Sequence, residues 1–510
     1  MTRPVTLGVG GAVFHPSQNQ KLTLNGPVTG PGGFTVIWDA YSVVLGSALN
    51  NFSGNITIGG SDSLGSGSTA IVQLGADNAI PAGNGMGNVV FASAAGKQGL
   101  LDLNGHNAQV NGLVAPANTN AFVDNKTGTG SYTLTVGAGN TNSIFGGVIN
   151  DTTGTINLAK TGTGTFTLTG SNTYAGGTFV SAGTLALSAY GSIATTPLIA
   201  VAGNAVFDVS GLTNTFALNA GQTFSNAAAA TGIVCGNFND AVGTNCFSFT
   251  NGTPALLVTN GTFTLAATTV FKLNNLGSAL LPGSYKIIAR ATSGSAGSVA
   301  GNLPALNVNG GGILAGANAA LQISGNELYL VVSNISTTTA LTLTTGGNPS
   351  TAGNTLIFTA IVQTNSIAAG NAASNFVFKV DGVAVATNPV TGGQATFTNS
   401  TLAAGSHTIT AEFRGDTIYA PSTNSVAQTV NPATPPVIGN IWLSGTNVII
   451  TGTNGVGAGN YYVLAATNLS TPMTGWTVLA TNQFGGGGSV NCTNPQNPNS
   501  PQTFYRLRLP

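Results

Sequence analysis

The chain has 510 residues, of which 12 are Lys or Arg and 12 are Asp or Glu, so it carries no formal net charge and only 5% of its residues are charged. About a quarter is usual for soluble domains, and so sparse a charge excludes an electrostatic footprint for nucleic acid or anionic lipid. With 42% hydrophobic residues and 73 glycines the composition is not that of a disordered chain either.

The first fifteen residues, MTRPVTLGVGGAVFH, enter turn and strand chemistry at once, without the apolar core of a signal peptide. No run of about 18 apolar residues follows anywhere, so no transmembrane helix is expected. From residue 1 to about 225 short alternating runs are broken by Gly, Asn and Pro, as in KLTLNGPVTGPGGFTVIW and GLLDLNGHNAQVNGL. The clearest unit is Lys160 to Leu187, KTGTGTFTLTGSNTYAGGTFVSAGTLAL. Its period of two predicts Phe166, Leu168, Val180, Leu185 and Leu187 inside, with Thr165, Thr167 and Phe179 outside. Phe166 to Leu185 and Leu168 to Leu187 are each nineteen positions apart, so the later strand can lie one coil above the earlier in a parallel stack. One such coil cannot bury its apolar face alone. Echoes are expected, and Phe52 to Ile58 lines up with Tyr174 to Val180, Phe145 to Ile149 is a shorter copy, and Leu101 to Gly105 lines up with Phe207 to Gly211.

From about Ser225 to Ser248 the pattern dissolves into AAAATGIVCGNFNDAVGTNC, which reads as an excursion from the stack. Cys235 and Cys246 lie in it and are the candidate disulfide, closing the excursion; two separate small thiols is the other reading. Strands resume at Ala255 to Leu273, and the segments LPGSYKIIARA and LQISGNELYLVVS resemble the closing section of many passenger β-helices, so the first domain ends near Ile335. Residues 336 to 430 change to longer strands, with a hairpin signal at Asp381-Gly382, and suit an immunoglobulin-like sandwich. Asn431 to Pro436 is a stiff Pro-rich linker, and 437 to 510, with Trp442, Tyr461, Tyr462 and Trp476, form a small β module.

Lys160 to Leu187 closely resembles the passenger-associated autotransporter repeat of bacteria, roughly KTGxGTLTLSGxNTYTGGTTVxAGTL, with Phe179 standing where that repeat has a threonine. Ala403 to Ser422, AAGSHTITAEFRGDTIYAPS, resembles the bacterial Ig-like repeat. The last segment, ending QTFYRLRLP, is similar to a C-terminal module of large secreted proteins of environmental bacteria. These resemblances imply a secreted, right-handed parallel β-helix on a bacterial surface, and hence an export signal upstream of Met1. An autotransporter would end in a β-barrel of amphipathic strands, which these residues do not contain.

Glycosidic hydrolysis needs two carboxylates about 5 to 10 Å apart, yet the acids here stand almost singly, as at Asp39, Asp62, Asp77, Asp102, Asp124, Asp151, Asp208 and Asp240. No catalytic residue, metal ligand or cofactor is expected. Asp102 and Asp208 sit in similar units and could line one face as calcium ligands, or simply bond nearby backbone N–H groups beside a turn. His15, His106 and His407 have no second ligand at metal spacing. In Arg414-Gly415-Asp416 the last two residues belong to the Ig-like pattern itself, so an integrin-type reading has little to stand on, and the Gly-rich stretches lack the Lys-Ser/Thr of a phosphate loop. The expectation is an all-β chain: a secreted or surface-displayed adhesin or structural scaffold, non-enzymatic, with surface glycans or cell-surface proteins as partners. The alternative is a carbohydrate-active β-helix, a polysaccharide lyase, hydrolase or glycan binder. Three or more charged or aromatic side chains converging on one concave strip of adjacent coils would favour that alternative.

Overall fold

The structure is a computed structural model and describes the whole chain except residues 17–19, 39–40, 61–68, 93–95, 117–119, 227–229, 292–296, 366, 456–458, 501 and 510. Asp39 and Asp62 lie outside the described residues. The chain forms two compact units, Met1–Ser333 and Asn334–Pro510.

The first unit is a parallel β-helix with three walls. Its strands run first wall, second wall, third wall where all three are formed, and strands of one wall pair from coil to coil. Among the described residues, first-wall strands are absent between Asn51–Phe52 and Ala108–Val110 and third-wall strands between Val148–Ile149 and Phe216–Ala217. The first wall is a 3-stranded and then a 9-stranded sheet, the second a 5-stranded and then a 9-stranded sheet, the third a 6-stranded and then a 4-stranded sheet. In the second wall Thr165–Leu168 pairs with Thr184–Ala189 in parallel, Phe166 opposite Leu185 and Leu168 opposite Leu187, which is the nineteen-residue register read from the sequence. All four side chains are buried, as is Val180, whereas Phe179 is 36% exposed. The interior is a column of apolar and aromatic side chains, with the Phe224 and Phe238 rings 4.8 Å apart and Phe238 and Phe263 stacked at 4.7 Å. Each coil thus supplies the surface that buries its neighbour's, which is why no single repeat needs a core of its own.

The sequence echoes are corner chemistry rather than equivalent positions. Ile56–Ile58 lies in the second wall, whereas Thr178–Val180, its counterpart in the echo, lies in the first. Likewise Gln98–Asp102 belongs to the third wall and Val206–Leu212 to the second. An inward aromatic or leucine next to a tight turn serves at any corner of the coil.

The expected excursion at 225 to 248 is corrected by the structure. Thr223–Asn226, Gly232–Cys235, Phe238–Asn239 and Thr244–Phe249 are regular strands in register with the coils on either side. The period of two is present, but an inward position is filled by Asn245, which hides it. The disulfide goes with the excursion: Cys235 and Cys246 are free thiols. Cys235 stands on the second wall and Cys246 on the first. Each alternates with fully buried neighbours, Val234 and Phe247, so both point outward from different walls with the apolar core between them. The stack ends where Gly283–Arg290 is met by the antiparallel strands Glu327–Val332 and Ala319–Ser324.

In the second unit, residues up to Asn431 form two antiparallel-dominated sheets of four and five strands around Phe358, Phe376, Phe378, Phe397 and Phe413. The hairpin joining Asn375–Val380 to Val383–Pro389 turns at Asp381-Gly382 with φ of 52° and 84°, the doubly positive pattern of the tight hairpin turn. Residues 432–436 carry no strand. Two 3-stranded sheets follow, packed on Val448, Ile450, Tyr461, Val463, Phe484 and Cys492.

Candidate functional site: a trough on the third wall

Four neighbouring third-wall strands, Thr69–Leu74, Gln98–Asp102, Ala121–Asp124 and Val148–Ile149, turn Val72, Leu101, Val123 and Ile149 inward. Alternation therefore places two rows on the outer face. One is apolar: Ile71, Leu100, Phe122 and Val148 stand opposite one another in register. The other is polar: Gln73, Asp102 and Asp124. Together with Gln98, Lys126, Asn150 and Thr152 the apolar row and Asp124 line a trough of about 450 Å³ that crosses the coils.

The polar row is wired from end to end. Lys21 Nζ donates to Gln73 Oε1 at 2.6 Å, and Gln73 Nε2 donates to Asp102 Oδ2 at 2.8 Å. The backbone N–H groups of Asn104 and Lys126 donate to Asp102 Oδ1 at 3.0 and 3.1 Å. Thr152 gives its backbone N–H to Asp124 Oδ1 at 2.8 Å and its hydroxyl to Oδ2 at 2.7 Å, and Lys126 Nζ lies 3.2 Å from the same Oδ2. Burial pushes the Asp124 carboxyl up, but the hydrogen bonds from Thr152 and Lys126 and the Lys126 charge outweigh it and hold the group below the usual carboxylate range. Both carboxylates are nearly fully buried, with every oxygen committed to a donor. A general acid must carry a proton at working pH, and Asp124 is arranged to stay ionised. Asn150 Oδ1, by contrast, is buried without a donor.

Asp102 and Asp208 do not share a face. Asp102 pairs with Asp124 in the third wall, whereas Asp208 lies in the second, where its Oδ1 accepts the Ser210 N–H at 2.9 Å and the Ser210 hydroxyl at 2.6 Å. Both bond local backbone beside a turn, the plainer of the two readings. Among the described residues no three His, Cys, Asp or Glu side chains are grouped to hold a metal. His106 pairs with Asp77 at 3.1 Å on the surface and His15 is exposed. In Arg414-Gly415-Asp416 the aspartate accepts the N–H groups of Ile418 and Tyr419 at 2.7 Å and of Ala373 at 2.9 Å, so it ties a turn together.

A second cleft, of about 710 Å³, lies near the end of the stack and is lined by Tyr285, Lys286, Arg290, Glu327 and Tyr329. Its one carboxylate is likewise occupied: Glu327 Oε2 is 2.8 Å from Lys286 Nζ and accepts the Tyr329 hydroxyl at 2.8 Å.

Residues 158–187 match the passenger-associated-transport-repeat family, and residues 343–431 match the bacterial Ig-like domain, group 3. The chain carries a passenger repeat and a bacterial Ig-like domain. Together they support a secreted or surface-exposed bacterial passenger protein, and no described helix is long and apolar enough to cross a membrane. No curated protein matches the chain. Among solved structures, the human OSCAR ligand-binding domain is 14% identical over 33% of this chain and 93% of its own, with a TM-score of 0.14. The apo form of Bacteroides uniformis β-glucuronidase 3 is 11% identical over 34% of this chain and 25% of its own, with a TM-score of 0.13. Scores this low assign no fold.

The passenger repeat also accounts for a residue that the sequence analysis passed over. Lys160, the leading lysine of the repeat, is fully buried at the end of its strand, where Nζ donates to the carbonyls of Thr161 at 2.6 Å, Gly162 at 2.9 Å and Ala182 at 3.1 Å. The first two belong to its own coil and the third to the next. The Gly162 and Gly183 backbones are left-handed there, with φ of 65° and 62°, which is what turns those carbonyls toward the ammonium. The signal was available: a lone lysine ending an alternating apolar strand.

Proposed function

We propose that the protein is a secreted or surface-displayed, non-enzymatic adhesin whose coil stack presents the third-wall trough to a neutral, linear glycan. The observation that carries this reading is the outward row Ile71–Leu100–Phe122–Val148 running beside a polar row in which Lys126 neutralises Asp124 and neutral donors bind Asp102. Rungs of a parallel stack repeat every ~4.8 Å, so the row offers apolar contact at a spacing similar to the length of one sugar ring. A polysaccharide chain has both characters the trough has, apolar ring faces and flanking hydroxyls, and the exposed Gln98 in its lining supplies a hydrogen-bonding amide. The Lys126 ammonium sits on the Asp124 carboxylate, which favours a neutral glycan over a uronic-acid polymer. Phe122, Asp124 and Lys126 stand together on one coil of the trough, with Leu100 and Val148 on the coils to either side. The commitment of both Asp102 and Asp124 oxygens to structural donors supports binding rather than hydrolysis or elimination.

The test is affinity electrophoresis of the purified chain in gels containing a neutral β-glucan or a polyuronate. Retardation by the neutral polymer, weakened about tenfold by Phe122→Ala (~1.4 kcal/mol), is expected. Retardation by neither polymer, or equal retardation of the Phe122→Ala variant, would remove the trough as the binding face. Release of reducing ends from the polymer, abolished by Asp124→Asn, would sink the non-enzymatic reading.

A further inference from the structure

Besides Asn150 Oδ1, two acceptor oxygens among the described residues of the first unit are buried with nothing to accept from. Asp240 and Asn245 flank the corner between strands Phe238–Asn239 and Thr244–Phe249, and each is 0% exposed. Asn245 fills an inward position, in register with Phe224 on the coil before and Phe271 on the coil after, so a carboxamide stands in the aromatic column. Its Nδ2 donates to Asp240 Oδ2 at 2.8 Å, and Thr269 Oγ1 lies 3.0 Å from the same Oδ2. Thr269 Oγ1 also lies 2.8 Å from the Ala266 carbonyl, and its single proton can serve only one of the two. Asp240 Oδ1 and Asn245 Oδ1 have no hydrogen-bond partner at all.

An ionised carboxylate left in that state is desolvated with no donor on Oδ1, while Oδ2 has the Asn245 amide and a shared Thr269 hydroxyl. Rotating the amide by half a turn does not help, because an amide oxygen would then face Oδ2 instead. One proton on the carboxyl removes the conflict. It makes Oδ1 a donor, and Asn245 Oδ1, on the amide already bonded to Oδ2, is the acceptor left over, so that the two groups would form an acid–amide pair.

No charge is placed to oppose this. The influences on Asp240 are its burial, which pushes the carboxyl up, and weaker opposing hydrogen bonds from Thr269, the Ala266 backbone and Asn245. Strands Phe216–Ala217 and Thr262–Leu265, which flank Phe238–Asn239, carry no titratable side chain, nor does Thr223–Asn226. On Thr244–Phe249 and Val270–Asn275 the titratable groups are Cys246 and Lys272, both at outward positions. The other buried acids differ from it: Asp124 has the Lys126 ammonium, and Asp102, without a cation, has a donor on each oxygen.

We propose that Asp240 is a neutral carboxylic acid in the folded coil, sharing its proton with Asn245, and that loss of this proton as pH rises loosens the corner between the two strands. The sign follows from linkage. A carboxyl that holds its proton more tightly folded than unfolded stabilises the fold fully below the unfolded value of about 3.9, and the contribution is lost as pH rises through the folded value.

Two measurements on the intact chain decide it. Infrared spectroscopy at about pH 5.5, where ordinary Asp and Glu are ionised, should show a protonated-carboxyl C=O band that shifts on carbon-13 labelling of aspartate and is absent from Asp240→Asn. That variant keeps the pair, since a second carboxamide can make both hydrogen bonds to Asn245 without titrating. Hydrogen exchange, expressed as protection relative to the intrinsic rate at each pH, should fall with rising pH in peptides covering 238–249 of the wild type and stay level in Asp240→Asn. If the wild type shows no labelled carboxyl band at that pH, the proposal is overturned, whether or not the variant folds. The same follows if both proteins lose protection in parallel.

Discussion

Lys160 shows how one residue can hold two coils together. Burial pushes its ammonium down to about 8, yet three carbonyls surround it and it remains charged at neutral pH. Lys160→Met keeps most of the apolar stem and removes the donors, leaving buried carbonyls of two coils unpaired. The expected loss is ~1 to 3 kcal/mol, read as a lower urea midpoint for residues 1–333, and an unchanged midpoint would mean that water replaces the ammonium. At this scale the sequence was legible wherever a residue's role depends on its own parity in a strand. Phe166, Leu168, Val180, Leu185 and Leu187 are inside and Phe179 outside for that reason alone. It was illegible where a role depends on a partner a coil away. Leu100 and Leu101 are adjacent leucines facing opposite sides, one onto the trough and one into the core, and only the register with Phe122 and Val123 tells them apart. Asp124 has the same character, since its donors come from Lys126 and from Thr152 on the next coil.

At the scale of elements, the tight hairpin of the Ig-like domain has its own titrating clamp. His407 Nδ1 is 2.7 Å from Asp381 Oδ2 and its Nε2 is 2.9 Å from the Ala403 carbonyl, so both ring nitrogens face acceptors and the doubly protonated ring satisfies both. The Asp381 hydrogen bond first, then the Ala403 carbonyl, raise the His407 pKa above its ordinary 6.5. The Thr408 N–H first, then His407, hold Asp381 below its ordinary 3.8. The contribution of His407 is full below 6.5 and lost as pH rises through its raised value, while that of Asp381 is full above 3.8 and lost as pH falls through its lowered value. Residues 334–510 should therefore be most resistant to urea between about pH 4 and 6.5. His407→Gln should flatten the alkaline side of that profile, and an unaltered profile would show that the clamp does not contribute. The turn itself was readable from Asp381-Gly382, whereas the clamp was not, because His407 lies on a strand 26 residues away. The opposite failure occurred at 225 to 248, where Asn245 at an inward position made regular strands look like a break.

For the first unit as a whole, the problem set by a stack of parallel strands is how to stop. Every coil ends in unpaired backbone groups that invite another strand, and an exposed flat edge is a site of association. Here the last long second-wall strand, Gly283–Arg290, with Ile287 and Ile288 fully buried, pairs antiparallel with Glu327–Val332, which in turn pairs with Ala319–Ser324. Reversing the direction breaks the repeat that a further parallel coil would have to continue, and Leu328 and Leu330 join the core of the stack with fully buried side chains. LQISGNELYLVVS was legible as a closing section through its resemblance to the ends of passenger β-helices, and the structure supplies the physical reason: its two strands, joined by a short Gly-Asn turn, pair with each other. The consequence is specific. Residues 1–333 should run as a single monodisperse species in size-exclusion chromatography with light scattering. Residues 1–314, which lack both reversed strands, should form higher species that grow with concentration. If the shorter form stays monomeric over the same range, the edge at Gly283–Arg290 is protected by something other than these two strands, and their part in ending the stack falls with it.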